Sequence, residues 1–191
     1  MNAAPLQGER VAFLVANVGV EQAELTEPWK AVEAAGATPV LVAPQNDDVQ
    51  AMQGDTEKGD VFHPDQTLAD ANPDAFVGLV LPGGVANPDK LRTLPEAVAF
   101  ARAFASAGKP IASICHGPWL LVEADLVAGK TLTSWPSLQT DIRNAGGDWR
   151  DEEVVTCPIG GFTLVTSRKP DDLQAFTSAL VEAFASTRQP G

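Results

Sequence analysis

Short apolar runs recur along the chain, and longer amphipathic stretches separate them. The runs are continuous rather than alternating, which is typical of strands buried on both faces of a sheet. Four of them end at glycine-containing or polar turns: residues 11–16, 39–43, 76–81 and 110–115. A later pair, residues 154–157 and 162–166, also has strand character. The pattern therefore predicts a central sheet.

The intervening stretches predict helices. Residues 21–36 carry Thr26 as a capping residue, Pro28 in a first turn and Gly36 as a stop. Apolar positions at helical spacing predict further helices over residues 87–108, 117–124 and 171–185. Strands that alternate with helices indicate βαβ units. We therefore expect an α/β fold, with a doubly wound, mostly parallel sheet and helices on both faces.

One segment departs from this alternation. Residues 45–72 are polar, rich in Asp and Gly, and lack a helical period. We interpret them as a small hairpin and loop excursion within a single domain that spans residues 1–191. Residues 1–9 are expected to form an N-terminal tail. They hold no basic stretch followed by an apolar run, so no signal peptide is predicted.

Composition excludes several classes of function. Of the 191 residues, 13 are Lys or Arg and 25 are Asp or Glu, which gives a net charge of −12. A surface with this much negative charge repels phosphate backbones and anionic lipid. Neither a nucleic-acid role nor a membrane role is therefore expected. Two cysteines cannot build a disulfide framework, and a cytoplasmic location is predicted. Two histidines and no cysteine cluster predict no metal site. The absence of a P-loop or a GxGxxG turn predicts no nucleotide cofactor.

The strand ending at Cys115 carries the strongest candidate chemistry. Ligands of open parallel sheets bind beyond the carboxyl ends of the strands. There, an apolar strand runs into Cys115-His116-Gly117 and then a helix, which resembles a nucleophile elbow. A helix start favours thiolate over thiol, so we expect a reactive sulfur. His116 would move its proton. The alternatives are a buried structural cysteine and a surface histidine at a helix start.

Two glycines and two carboxyl groups are candidates to complete this site. Gly83 and Gly84 end the third strand, and their N–H groups could hold an oxyanion together with that of His116. A plain turn is the alternative. Glu21 is predicted to place a protonated carboxyl at the Cys115 sulfur, because a protonated carboxyl would donate to the thiolate and lower the thiol pKa. Glu24 is the weaker candidate, and a solvated helix start is the alternative for both.

Further residues have more modest interpretations. Asp89 could orient His116, within the chain or from a neighbouring subunit, or could simply be an acid that a helix start favours. Trp119 and Trp135 are expected to wall the pocket. His63 is expected to be a solvated loop residue, and Cys157 to be structural.

Together these residues resemble the PfpI family of intracellular cysteine hydrolases and general stress proteins, within the type 1 glutamine amidotransferase-like superfamily. The resemblance extends over nearly the whole chain. It is carried by Glu21-Gln22-Ala23-Glu24-Leu25, Leu81-Pro82-Gly83-Gly84, Pro88-Asp89, Lys109 to Pro118, Thr133-Ser134-Trp135-Pro136-Ser137, Asp141 to Gly147, and Thr166-Ser167-Arg168-Lys169-Pro170.

The resemblance implies a flavodoxin-like fold and a homodimer or higher homo-oligomer. It also implies Cys115 as nucleophile, His116 beside it, Glu21 as the carboxyl at the sulfur and Asp89 as an acid that completes a triad across an interface. The expected function is a stress-response cysteine hydrolase that acts without a cofactor on peptides, on glyoxal-type aldehydes or on their adducts. The alternative is a non-enzymatic sensor that works through reversible oxidation of Cys115. Glutamine amidotransferase activity is not expected, since no histidine follows His116.

Overall fold

A central sheet of seven strands organises the structure. The computed structural model describes residues 4–186, and within them the sheet has the order β11-β12-β8-β7-β1-β3-β6. Every neighbouring pair is parallel except β11 and β12, the late strand pair that the sequence predicts, which is antiparallel. The twelve strands described are β1 Arg10–Leu14, β2 Val18–Glu21, β3 Thr38–Ala43, β4 Val49–Gln53, β5 Glu57–Phe62, β6 Gln66–Thr67, β7 Gly78–Leu81, β8 Ile111–Ile114, β9 Thr131–Leu132, β10 Asp148–Trp149, β11 Val154–Cys157 and β12 Leu164–Ser167.

Helices cover both faces of this sheet. They are α1 Gln22–Ala34, α2 Ala86–Leu91, α3 Pro95–Ser106, α4 Pro118–Glu123, α5 Gln139–Asn144 and α6 Leu173–Ser186. On β1, Val11 and Phe13 belong to the core that packs against α1 and α6. Ala12 and Leu14 belong to the opposite core, against α3, α4 and α5. The period of two along a strand thus separates two cores, and the predicted α/β fold with helices on both faces is confirmed.

Two predicted helices have different boundaries in the structure. α1 begins at Gln22, so Thr26 lies inside it and its hydroxyl donates to the Gln22 carbonyl oxygen at 3.0 Å. Pro28 is likewise within the helix rather than in a first turn. The single helix predicted over residues 87–108 is two helices, because Pro95 starts a new one after a turn.

The excursion over residues 45–72 contains the predicted hairpin and joins it to the rest of the fold. β4 and β5 pair as an antiparallel hairpin, and β4 also pairs in parallel with β2 to give a separate three-stranded sheet. β6 returns to the edge of the main sheet beside β3. The hairpin tip, which includes Gly54 and Asp55, is thereby carried back to the residues that precede α1.

The chain termini are only partly described. Residues 1–3 of the expected N-terminal tail lie outside the described residues, and in the rest of it Leu6 is fully buried and its N–H donates to the Ala35 carbonyl oxygen. Within residues 4–186, no helix has both the length and the apolar character to cross a membrane.

Candidate active site

Cys115 lies at a strained turn between β8 and α4. Its φ is 62°, in the left-handed region that side chains with a Cβ rarely adopt. Its N–H donates to the Ser167 carbonyl oxygen at 3.0 Å, and the Gly117 N–H donates back to Ile114 at 2.9 Å. A Cβ on Gly117 would lie 2.6 Å from the Leu81 carbonyl oxygen, so only glycine fits there. The turn therefore has the geometry of the predicted elbow.

His116 lies directly against the sulfur. Its Nδ1 is 3.1 Å from Cys115 Sγ, and its Nε2 is 3.4 Å from the Ser137 hydroxyl. Adjacent residues on a helix point in different directions and would not meet. The left-handed turn at Cys115 instead brings its side chain against that of His116. Burial lowers the pKa of the imidazole, against a smaller opposing effect of Asp55. His116 is therefore a neutral base at neutral pH.

Glu24, not Glu21, is the carboxyl that reaches the cysteine. Glu24 is fully buried, its Oε2 accepts the Gly83 N–H at 2.9 Å, and its side chain interacts with the Cys115 thiol. Its Oε1 is buried and has no conventional hydrogen-bond partner among the described residues. Burial is the main cause that raises the pKa of Glu24 to about 8, so the carboxyl is mostly protonated at neutral pH. The predicted protonated carboxyl exists, but it belongs to the other glutamate.

The position of each glutamate at the start of α1 explains why Glu24, and not Glu21, reaches the cysteine. Glu21 immediately precedes the helix in an extended conformation and makes no capping hydrogen bond with its side chain, while Glu24 faces inward from the first turn. The Glu21 carboxylate instead accepts the Gly54 N–H at 2.9 Å, and also bonds the Asp55 N–H. Burial is the largest cause that raises the pKa of Glu21. Glu21 therefore lines the entrance to the cysteine rather than contacting the sulfur.

The electrostatics of Cys115 differ from the expected free thiolate. Only 6% of the residue is exposed, and this burial raises the pKa of the thiol; an ionised Glu24 raises it further. The N–H groups of Gly84 and His116 bond the sulfur and lower the pKa. Protonation of Glu24 removes the repulsion and offers an O–H donor to the sulfur. The resting site thus holds a thiol whose ionisation is coupled to the Glu24 proton.

The N–H groups predicted to hold an oxyanion bond two different partners, the Cys115 sulfur and the Glu24 carboxyl. Gly84 and His116 direct their N–H groups at the sulfur, where they could hold an adjacent oxyanion. The Gly83 N–H is bound to Glu24 and is not available for that purpose. Gly84 has a φ of 80°, which a residue with a side chain would adopt only with strain.

Asp89 does not meet His116 within one chain. Its carboxylate accepts two hydrogen bonds from Arg92, at 2.6 and 3.0 Å, and its side chain is 54% exposed. The Arg92 guanidinium also lies over the Trp119 ring at 4.5 Å. Trp119 in turn packs on one side of the imidazole of His116, with ring centroids 5.1 Å apart. The predicted contribution of Asp89 from a neighbouring subunit stays a prediction.

Asp55 is a site residue that the sequence did not reveal. It lies at the tip of the β4–β5 hairpin with a φ of 64°, and its Oδ1 accepts the Val85 N–H at 2.8 Å. It interacts electrostatically with His116 across the pocket. Gly54-Asp55 is a typical hairpin-turn sequence. That signal predicts a turn but not its position over the cysteine.

These side chains surround a cavity of about 340 Å³. Trp135 forms one wall, 39% exposed and nearly parallel to the His116 ring, with centroids 5.8 Å apart. The residues that line the cavity are Glu21, Glu24, Gly54, Asp55, Gly84, Cys115, His116, Trp135 and Pro170. The space is sufficient for a small carbonyl compound or for the end of a modified side chain.

The fold and the site together define a class of α/β proteins. In this class a cysteine lies at a left-handed turn after a strand, a histidine contacts its sulfur, and a buried protonated glutamate lies beside it. Comparison with known proteins identifies the family. The DJ-1/PfpI family matches residues 9–183, so this chain belongs to the DJ-1/PfpI family.

Named relatives resemble the chain over most of its length. General stress protein 18 of Bacillus subtilis is 39% identical over 170 residues, which cover 88% of this chain and 94% of the relative. Deglycase PfpI of Pyrococcus furiosus is 36% identical over 173 residues, covering 91% and 98%. Among solved structures, Drosophila melanogaster DJ-1beta has a TM-score of 0.81 at 27% identity, covering 93% of this chain and 90% of that one.

Proposed function

We propose that this protein is a cysteine-dependent hydrolase of glyoxal-type aldehydes or their adducts. The observation that carries the proposal is the contact of 3.1 Å between Cys115 Sγ and His116 Nδ1, at the floor of a cavity of about 340 Å³. The name of the Pyrococcus relative, a deglycase, supports this substrate class. Peptides are the less favoured substrate, because Asp89 is bound to Arg92 and, among residues 4–186, His116 has no hydrogen bond to a carboxylate.

The reaction would begin with addition to an aldehyde. Cys115 Sγ bonds to the carbonyl carbon, the π electrons of the C=O bond move to oxygen, and the thiol proton goes to His116 Nδ1. The N–H groups of Gly84 and His116 donate to the new oxyanion. A proton then moves between the two carbons of methylglyoxal to give a thioester. Water hydrolyses this thioester, releases lactate and restores the thiol, so that methylglyoxal and water are consumed in equal amounts.

The test is formation of lactate from methylglyoxal by the purified protein. Cys115→Ala should abolish turnover, because Cys115 is the one thiol among the residues that line the cavity. Cys157→Ser is the matched control, since Cys157 is also buried, at 3% exposure, but belongs to β11 and does not line the cavity. Full turnover by Cys115→Ala, or equal loss in both variants, would contradict the proposal. A fluorogenic peptide assayed in parallel tests the peptidase alternative.

A second candidate, a sensor of peroxide, is favoured by the proton on Glu24. Peroxide would add one oxygen to the sulfur with release of water, and a second equivalent would convert sulfenic to sulfinic acid. The Glu24 O–H and the two amides at the sulfur could bond the added oxygens. Peptide mapping after mild peroxide treatment tests this. The sensor hypothesis fails if no oxygen is found on Cys115.

We also propose, from the family resemblance, that the protein forms a homodimer or a higher homo-oligomer. Sedimentation equilibrium tests this assembly, and a monomer at micromolar concentration would contradict it. In an oligomer, Asp89→Asn would lower turnover if the acid serves a neighbouring subunit's His116.

A further inference from the structure

The entrance of the cysteine pocket is lined by carboxyl groups. Glu21 and Asp55 border it, Glu24 lies beneath them, and no lysine or arginine is among the lining residues. The chain as a whole has 25 acidic against 13 basic residues, so the global field has the same sign as the local one. A cavity with walls of one charge sign concentrates ligands of the opposite sign.

Two of these carboxyl groups are held in place by backbone amides. Glu21 Oε2 accepts the Gly54 N–H at 2.9 Å, and Asp55 Oδ1 accepts the Val85 N–H at 2.8 Å. The bonds tie the hairpin tip to α1 on one side and to the start of α2 on the other. A carboxylate has about four lone-pair positions. Both groups therefore keep acceptor capacity for a ligand without having to be reoriented.

Three basic side chains near the pocket do not offset this charge, because each of them has its own acidic partner. Arg92 pairs with Asp89 at 2.6 Å. The segment around Pro170 holds two further bases, which are also paired: Arg168 with Asp151 and Asp172 at 2.8 and 2.9 Å, and Lys169 with Asp171 at 3.3 Å. These three paired side chains therefore do not neutralise the negative charge at the pocket entrance.

An exposed aromatic ring beside these carboxylates points to a ligand rather than to a solvated acidic edge. Glu24 lines the cavity and is fully buried, and its carboxyl is already bound to the Gly83 N–H and the Cys115 thiol. At the same cavity the indole of Trp135 is 39% exposed, and an aromatic face attracts ammonium and guanidinium groups. Carboxylates and an exposed indole around one cavity are the recognition elements of an organic cation.

We propose that Glu21 and Asp55 are specificity-determining residues that select substrates with a cationic group next to the reacting carbonyl. A guanidinium or an ammonium would lie between the two carboxylates and Trp135, and an anionic aldehyde such as glyoxylate would be excluded. The inference rests on the proposed hydrolase function for its substrate, but the charge selection itself is a property of access to Cys115. It can therefore be measured without turnover.

The test compares the rates at which three methanethiosulfonates of different charge modify Cys115. The cationic trimethylammonium-ethyl reagent should react faster than the anionic sulfonato-ethyl reagent, with the neutral methyl reagent between them. A change in thiol reactivity affects all three equally, so the ratio of cationic to anionic rates reports the field alone. A single charge on the order of 7 Å away changes a rate at least about threefold. Removal of the charge should slow the cationic reagent and speed the anionic reagent by that factor each, so Asp55→Asn and Glu21→Gln should each lower the ratio by about ninefold.

Asp125→Asn is a closely matched control. Like Asp55, Asp125 has a positive φ, of 56°, and it is an exposed acid whose side chain pairs with Arg102 away from the pocket. Its replacement removes the same charge and should leave the ratio unchanged. A ratio near one in the wild type, or equal effects of Asp55→Asn and Asp125→Asn, would overturn the inference.

Turnover provides the second measurement. Lactate release from the methylglyoxal adduct of acetylarginine should exceed release from the adduct of acetylcysteine, and Asp55→Asn should reduce the difference by raising KM for the arginine adduct. Equal turnover of both adducts would overturn the charge selection and leave the hydrolase proposal intact. If neither adduct is hydrolysed while the reagent ratio behaves as expected, the hydrolase proposal fails and the charge selection stands.

Discussion

Replacement of Glu24 by glutamine should stabilise the protein, and should do so increasingly as the pH rises. In the folded chain burial raises the pKa of this carboxyl from 4.5 to about 8. Between those two values the unfolded chain has lost the proton and the folded chain retains it, so the free energy of unfolding of the wild type falls as pH increases. Glutamine has the shape of a protonated glutamate and cannot ionise. Its amide oxygen can still accept the Gly83 N–H.

The size of the effect follows from the same two pKa values. Each pH unit in this window lowers the stability of the wild type by about 1.4 kcal/mol, and the whole window corresponds to about 5 kcal/mol as an upper limit. Near pH 5 the variant and the wild type should have almost equal stability. At pH 8 the variant should be more stable by several kcal/mol, a large share of the 5–15 kcal/mol that is typical of a folded domain.

Urea denaturation at pH 5, 6, 7 and 8 measures this difference. Glu27→Gln is the matched control on the same helix, because its exposed pair with Lys30 contributes no more than about 0.5 kcal/mol. A stability difference between Glu24→Gln and the wild type that stays constant over this range would contradict this expectation. So would a variant that is less stable at pH 8, since the folded state would then contain an ionised Glu24 with a favourable partner.

Two further substitutions test the surroundings of the site. Gly117→Ala should destabilise the protein by about 1–3 kcal/mol and slow the alkylation of Cys115, because the new Cβ would lie 2.6 Å from the Leu81 carbonyl oxygen; an unchanged urea midpoint would contradict this. Lys130→Met should lower stability by about 1–3 kcal/mol, because the buried ammonium donates to the carbonyl oxygens of Ile159 and Phe162, and a thermal melt at unchanged temperature would count against that role.

The architecture could be predicted from the sequence because its strands are buried on both faces. A continuous apolar run such as residues 11–16 has few alternatives to a central strand, and the order of strands and helices then indicates a parallel sheet. The helix ends were harder. Thr26 and Pro28 are good starting signals for a helix, and nothing local shows that α1 had already begun at Gln22. The first residue of α1, Gln22, is held by hydrogen bonds to Asp60 on β5, a tertiary contact that no local signal shows.

The candidate site was predicted where adjacent residues determine it and was missed where distant ones do. Cys115 and His116 are neighbours, so a strained turn is enough to bring their side chains together. Which of Glu21 and Glu24 points toward the cysteine depends on the residue at which α1 begins. The helix start that the sequence signals indicate lies too late in the chain, so the inward-facing glutamate could not be identified. Asp55 reaches the pocket only because the β4–β5 hairpin adds to β2, a pairing between segments some thirty residues apart that no local pattern encodes.

Alkylation of Cys115 by substoichiometric iodoacetamide tests whether this sulfur is the nucleophile of the reaction. Peptide mapping gives the fraction of Cys115 and of Cys157 that is modified, and lactate formation from methylglyoxal gives the remaining activity of the same samples. Activity should fall in proportion to the modification of Cys115 while Cys157 stays unmodified. Activity that persists after Cys115 is fully alkylated would show that this sulfur is not the nucleophile.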